Sequence, residues 1–184
     1  MEYLKRSSST RVEDDPQIAS RVQEMLRTIR HEGEPAIKRY ARELDGWEDE
    51  FVLSDAKKKM LIDQVPEQTK SDLQFSLKQI NRFAEAQRAS LTEFEIQTEP
   101  GVVLGQRLVP IQTVGCYVPG GRYAHAASAL MSIATARVAG VSEIIACSPP
   151  RGSSIHPAVA YAMDLAGVNV ILEMGGVQAI ASMA

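Results

Sequence analysis

Two hydrophobic periods divide the chain. Over residues 15 to 89 the apolar positions recur at helical spacing. Ile18, Val22, Met25, Leu26 and Ile29 form one stripe after Asp15-Pro16, a helix-start pair, and Gly33 closes it. Glu34-Pro35 opens a second helix, with Ile37, Tyr40, Ala41 and Leu44 on one face and Gly46 after its end. Phe51-Val52-Leu53 is a short extended piece. Ser54 is placed to cap a helix over 55–64. Pro66 begins the longest helix, with Leu73, Leu77, Ile80, Phe83 and Ala84 as its stripe to about Ala89. The lysine run Lys57-Lys58-Lys59 is expected on a solvated helix face. Residues 1–14 are polar.

The period then changes to two. Phe94, Ile96 and Thr98 alternate with polar residues, as in a half-buried strand. Pro100-Gly101 turns the chain, and Val102 to Val109 returns as the second arm of a hairpin. From Pro110 the pattern is βαβαβα. Thr113 to Val118 is short, β-branched and apolar, and predicts a buried strand. Pro119-Gly120-Gly121 breaks it, and a helix runs from about Ala124 to Ala139 with Gly140 after it. Ser142 to Ser148 is a strand ended by Pro149-Pro150-Arg151-Gly152. Pro157 to Ala166 is a helix stopped by Gly167. Val168 to Met174 is a strand, Gly175-Gly176 follows, and a helix starts at Val177.

Alternating strands and helices of these lengths imply a parallel sheet with right-handed crossovers. The predicted class is α/β: an N-terminal helical segment, a small β-hairpin, then an incomplete Rossmann-like parallel sheet. The boundary falls near 90 to 110. Residues 1–110 form a helical region with hairpin that packs on or swaps with a partner. Residues 111–184 form the first part of the lobe. Three strands make a narrow sheet with exposed edges, and the short last helix is expected to belong to a longer protein.

Composition adds exclusions. The chain has 184 residues, a net charge of −3 and 45% hydrophobic residues. That balance gives no electrostatic case for nucleic acid or an anionic membrane. No apolar run reaches the ~18 residues that a membrane span needs. The first residues lack an apolar signal core, so a cytoplasmic protein is expected. Cys116 and Cys147 are expected as small buried hydrophobes, unpaired in that compartment.

In an open parallel sheet, ligands bind beyond the carboxyl ends of the strands. Three loops lie there: 119–125, 149–156 and 175–178. Pro119-Gly120-Gly121 lets a ligand approach bare main chain, or is an ordinary tight turn. It is not the G-x-G-x-x-G dinucleotide fingerprint. Tyr117 supplies a ring at the strand end. Gln178 puts an amide at a helix start, where it holds a ribose or amide group or serves only as a cap. His125 after the glycine turn is a candidate base, metal ligand or anion contact, or a polar residue at a helix start. The three histidines and two cysteines lack metal-site spacing.

Gly-Cys-Tyr-Val-Pro-Gly-Gly (115–121), Ser-Ala-Leu-Met (128–131), Ala-Arg-Val-Ala-Gly-Val (136–141), Cys-Ser-Pro-Pro (147–150) and Gly-Gly-Val-Gln-Ala-Ile-Ala (175–181) resemble the histidinol dehydrogenase family. The likeness extends more weakly through the helical half. It implies a dehydrogenase that uses NAD and zinc and takes a primary alcohol through an aldehyde to a carboxylate. It also implies two incomplete Rossmann-like lobes paired as a homodimer. By motif, Tyr117, Pro119 and Gln178 fall on NAD-contacting positions. The family's catalytic Glu-His pair and zinc ligands are expected beyond residue 184. No catalytic or metal-binding residue is therefore carried over, and the 184 residues alone are expected to be inactive.

One departure concerns the substrate. Arg122-Tyr123-Ala124-His125 stands where the family has small or apolar residues, and with Gly-Val-Gln at 176–178 it resembles the sulfopropanediol 3-dehydrogenase branch. Arg122 and His125 would there give charge-assisted donors to a sulfonate, unless Arg122 is only a surface residue. L-Histidinol is the alternative substrate. A non-catalytic dimerising or nucleotide-binding module is the alternative of another class.

Overall fold

The computed structural model describes residues 16–120 and 124–184. Arg122 lies outside them. The helical half opens with α1 (Pro16–Glu32), which buries Met25 and Ile29. Gly33, at φ 69°, ends it, and its N–H donates to Ile29 O at 2.8 Å. Then α2 (Glu34–Tyr40) runs into one π-helical turn over Ala41–Asp45. Gly46 closes that turn in the left-handed region, at φ 62°. Glycine takes this conformation without a Cβ penalty. α3 (Asp55–Asp63) is capped by Ser54 Oγ, which accepts from Lys57 N at 3.3 Å. α4 spans Glu67–Ala89.

The hairpin is β1 (Phe94–Glu99) and β2 (Val102–Gln106), paired antiparallel. Then come β3 (Thr113–Tyr117), α5 (Ala126–Val138), β4 (Glu143–Ser148), α6 (Pro157–Leu165), β5 (Val170–Glu173) and α7 (Gly176–Met183). β3, β4 and β5 form one parallel sheet in that order, with Gly115 opposite Ile145 and Cys147 opposite Leu172. α5 and α6 cover one face, and α3 and α4 pack outside them. α7 covers the other face with α1 and α2 behind it. The main core lies on the α5–α6 side, with Leu130, Ile133, Ile144, Ala160 and Met163 out of contact with water. Cys147, Met174 and Ala179 form the smaller core under α7.

Arg137 binds several turns together. Its guanidinium donates to the carbonyls of Gly167, Val141 and Ser142 and to Asn169 Oδ1, and that oxygen also accepts from Ile144 N at 2.9 Å. The arginine of the 136–141 phrase is thus a structural clamp between the ends of α5 and α6.

Four expectations need correction. One sheet edge is not open: Leu53 N donates to Ile171 O at 2.9 Å and Glu173 N to Phe51 O at 2.7 Å. Residues 51–53 therefore lie antiparallel along β5 and satisfy its outer backbone groups. β3 is not buried throughout, because it is the other edge; of its side chains only Cys116 is buried. The hairpin is not half-buried: β1 and β2 are exposed on both faces, since among the described residues their main packing is on each other. In α4 the stripe is narrower than expected. Leu73, Leu77 and Ile80 pack on the core, whereas Phe83 is 67% exposed.

Candidate functional site

Parallel pairing brings the carboxyl ends of β3, β4 and β5 to one rim of the sheet. Val118 N donates to Cys147 O at 2.8 Å and Met174 N to Ser148 O at 3.0 Å, so the three following loops leave the sheet side by side. Pro149 wedges between two of them. A Cβ on Gly120 would stand 2.5 Å from Pro149 Cγ, and one on Gly175 would stand 2.6 Å from Pro149 Cβ. Both glycines are therefore required by the packing of the loops on each other, whatever else the rim binds.

Two of the candidate residues meet at Gly176. Tyr117 is 37% exposed at the rim, and its hydroxyl accepts from Gly176 N at 3.3 Å. Gln178 approaches Gly176 from the inner side: a Cβ on Gly176 would stand 2.8 Å from Gln178 Oε1. Gly176 also has φ 62°, so both space and backbone demand glycine. Gln178 is fully buried. Its Nε2 donates to Asp45 Oδ2 at 2.9 Å, while Oε1 has no hydrogen-bond partner among the described residues. Pro119 is exposed beside this cluster. His125 takes the N-cap position of α5, half-buried and with no side-chain capping bond. His156 caps α6 instead, Nδ1 accepting from Ala158 N at 3.2 Å.

A second cluster was not foreseen. Glu173, the last residue of β5, is 1% exposed. Lys57 Nζ donates to its Oε2 at 2.7 Å, and Ser154 Oγ and Ile155 N donate to its Oε1. The Lys57 ammonium also stands 4.9 Å from the centre of the Trp47 ring, a cation–π contact. Lys57 therefore does not lie on a solvated face, and Lys58 pairs with Asp164 of α6 at 3.0 Å. The sequence held one signal, a lone acid ending the apolar strand Val-Ile-Leu-Glu. This network ties α3, the 149–156 loop and β5 together just before Gly175.

The two cysteines are held as neutral thiols by their burial. Both are buried and free. Burial pushes the Cys147 thiol up to about 12, with the neighbouring Cys116 adding to it, and burial raises Cys116 too. Grooves open elsewhere, one between the end of α4, residues 107–111 and α5, and another between α1 and α7. None of the candidate residues lines them, so depth alone does not mark the rim.

Residues 8–184 match the sequence profile of histidinol dehydrogenase. The chain belongs to the histidinol dehydrogenase family. It is 52% identical over 164 residues to a histidinol dehydrogenase homolog of Ruegeria pomeroyi, covering 89% of this chain and 38% of that protein. The sulfopropanediol 3-dehydrogenase of Ruegeria pomeroyi is 43% identical over 185 residues, covering 100% of this chain and 42% of that protein. The histidinol dehydrogenase of Methanosarcina mazei is 35% identical over 169 residues, covering 91% and 39%. Histidinol dehydrogenase from Elizabethkingia anophelis superposes with a TM-score of 0.83 at 25% identity, over 98% of this chain and 40% of that one. The chain thus spans about two fifths of the length of these relatives. Within this histidinol dehydrogenase-family chain, no helix of the described residues is long and apolar enough to cross a membrane.

Proposed function

We propose that the full-length protein is an NAD- and zinc-dependent dehydrogenase that oxidises 2,3-dihydroxypropane-1-sulfonate to sulfolactate. The alcohol would lose one hydride and a proton to give the aldehyde; water would add to that aldehyde, and the hydrate would lose the second hydride to give the carboxylate, so that two NAD are reduced per alcohol. NAD, when bound, accepts the hydrides. The observation that carries the reading is the meeting of Tyr117, Gly176 and Gln178 at the strand ends. A partly exposed ring, the N-terminus of α7, whose N-cap Gly175 gives no side-chain cap, and a buried carbonyl oxygen without a partner among the described residues fit a nucleotide with a flat ring, hydroxyls and an amide. Pro119, exposed beside them, adds apolar surface.

Zinc is different. No group of three His, Cys, Asp or Glu side chains is placed to hold a metal ion among the described residues. Membership of the family supports the reaction class. The resemblance of Arg122–His125 to the sulfopropanediol branch supports the sulfonate, a permanent anion that a guanidinium and an imidazole would hold by charge-assisted bonds. The protein is proposed as a cytoplasmic homodimer; the exposed apolar side chains of Phe94, Ile96, Val103 and Leu104 on the hairpin support a covering partner.

A second reading, oxidation of L-histidinol to L-histidine, is favoured by the likeness to relatives that bear that name. Purified full-length protein is incubated with NAD and each alcohol separately. NADH formed from the sulfonate supports the proposal, and NADH formed from L-histidinol alone overturns the substrate. NADH from neither, with NAD still bound, favours the non-catalytic module.

A further inference from the structure

We propose that Asp45 is a positioning residue for the nucleotide: it fixes the Gln178 amide so that Oε1 accepts a hydrogen bond from an N–H or O–H of the bound nucleotide. The inference rests on the reading above that a nicotinamide nucleotide lies at Tyr117 and Gly176. It adds a residue from the helical half of the chain, 133 positions before Gln178, to that site.

A carboxylate only accepts hydrogen bonds, so the amide end facing it must be the NH2. Asp45 Oδ2 stands 2.9 Å from Gln178 Nε2, which leaves Oε1 as the other end. That oxygen is buried and has no hydrogen-bond partner among the described residues. An unsatisfied buried acceptor is unfavourable, and native structures hold few of them. It lies against Gly176, the same residue whose N–H reaches the Tyr117 hydroxyl. The free acceptor therefore sits where the exposed ring and the start of α7 meet.

Asp45 is itself held firmly. It ends the π-helical turn Ala41–Asp45, a local geometry often found at functional sites. Gly46 N donates to Arg42 O at 3.2 Å and Trp47 N to Ala41 O at 3.1 Å, which pins both sides of the turn. Trp47 is buried just after it. The carboxylate thus has a fixed origin, and the orientation it imposes on the amide passes to Oε1. Without it the amide rotates, and the acceptor is presented only part of the time.

The test is calorimetric titration of NAD into the full-length protein, with no alcohol present. Asp45→Ala is expected to raise the NAD Kd about tenfold, the scale of one lost hydrogen bond. Asp45→Asn keeps an acceptor for Nε2 and is expected to stay within about twofold of the parent protein. In a Gln178→Ala background, Asp45→Ala is expected to add nothing, because the group it positions is gone. In steady state, KM for NAD rises while kcat holds. Should Asp45→Ala not fold, Asp45→Ser makes the same prediction, since its hydroxyl is too short to reach Nε2. A Kd within twofold for these variants, alongside weakened binding by Gln178→Ala, overturns the role of Asp45 and leaves the functional reading standing. Equal losses in Asp45→Ala and Asp45→Asn also overturn it. Unchanged binding in Gln178→Ala overturns the Gln178 contact itself; if NADH is still produced, the dehydrogenase reading survives that result.

Discussion

Replacing Lys57 with Met removes the cation from a carboxylate that hardly meets water. Glu173 is 1% exposed, and Lys57 Nζ stands 2.7 Å from it. Breaking a buried pair by removing one partner costs about 3–5 kcal/mol, because a charge is left uncompensated. Two features reduce that figure here. The Lys57 side chain is 30% exposed, so water screens part of the attraction. Ser154 Oγ and Ile155 N also remain bonded to the carboxylate. We therefore expect Lys57→Met to lower the unfolding free energy by about 2–3 kcal/mol. Removing both charges leaves no orphan ion. Lys57→Met with Glu173→Leu should then cost less than the two single changes together, with a coupling of about 1–2 kcal/mol. Urea unfolding followed by circular dichroism measures all three variants. A single Lys57→Met within about 0.5 kcal/mol of the parent, the range of an ordinary surface change, refutes the reasoning. Strict additivity of the pair refutes it as well.

Gly176→Ala places a Cβ at φ 62° and 2.8 Å from Gln178 Oε1. It should cost about 1–3 kcal/mol in urea unfolding and weaken NAD binding by displacing that oxygen; unaltered stability would contradict the geometry. Arg137→Ala strips the donors from three carbonyls and from Asn169. A loss of about 2–3 kcal/mol is expected, with Arg137→Lys recovering only part because one ammonium cannot replace the fork. The buried thiols set a pH dependence. Cys147 rises from an ordinary value of 9.0 to about 12 on folding, so above pH 9 the unfolded chain holds fewer protons than the folded one. Stability from this source is complete below about pH 9 and falls as pH climbs towards 12; unfolding midpoints measured across that range should decline, and Cys147→Ala should flatten the decline.

Local chemistry was legible and long-range chemistry was not. Ser54, Gly33, Gly46, Gly140 and Gly167 marked the ends of helices because capping depends on one residue and its immediate backbone. The β3–α5–β4–α6–β5–α7 order followed from short apolar runs and the glycines and prolines that separate them. The pairing of residues 51–53 with β5 was hidden because it joins segments more than a hundred positions apart. Lys57 and Glu173, 116 positions apart, each look ordinary in their own neighbourhoods. The alternation of Phe94, Ile96 and Thr98 correctly gave a strand. It gave the wrong burial, since alternation marks a face without naming what covers it. At the candidate site, the placement of Tyr117 at a strand end and Gln178 at a helix start was legible, and the fold brings both to Gly176. Asp45 was not, because only the folded chain brings the π-helical turn to α7.

A crystal structure of the full-length protein soaked with NAD tests the central claim most directly. The account predicts the nucleotide over Gly176, in contact with the Tyr117 ring, with one of its donors within hydrogen-bond distance of Gln178 Oε1. A nucleotide seated elsewhere, with Tyr117 and Gly176 left uncovered, would contradict it.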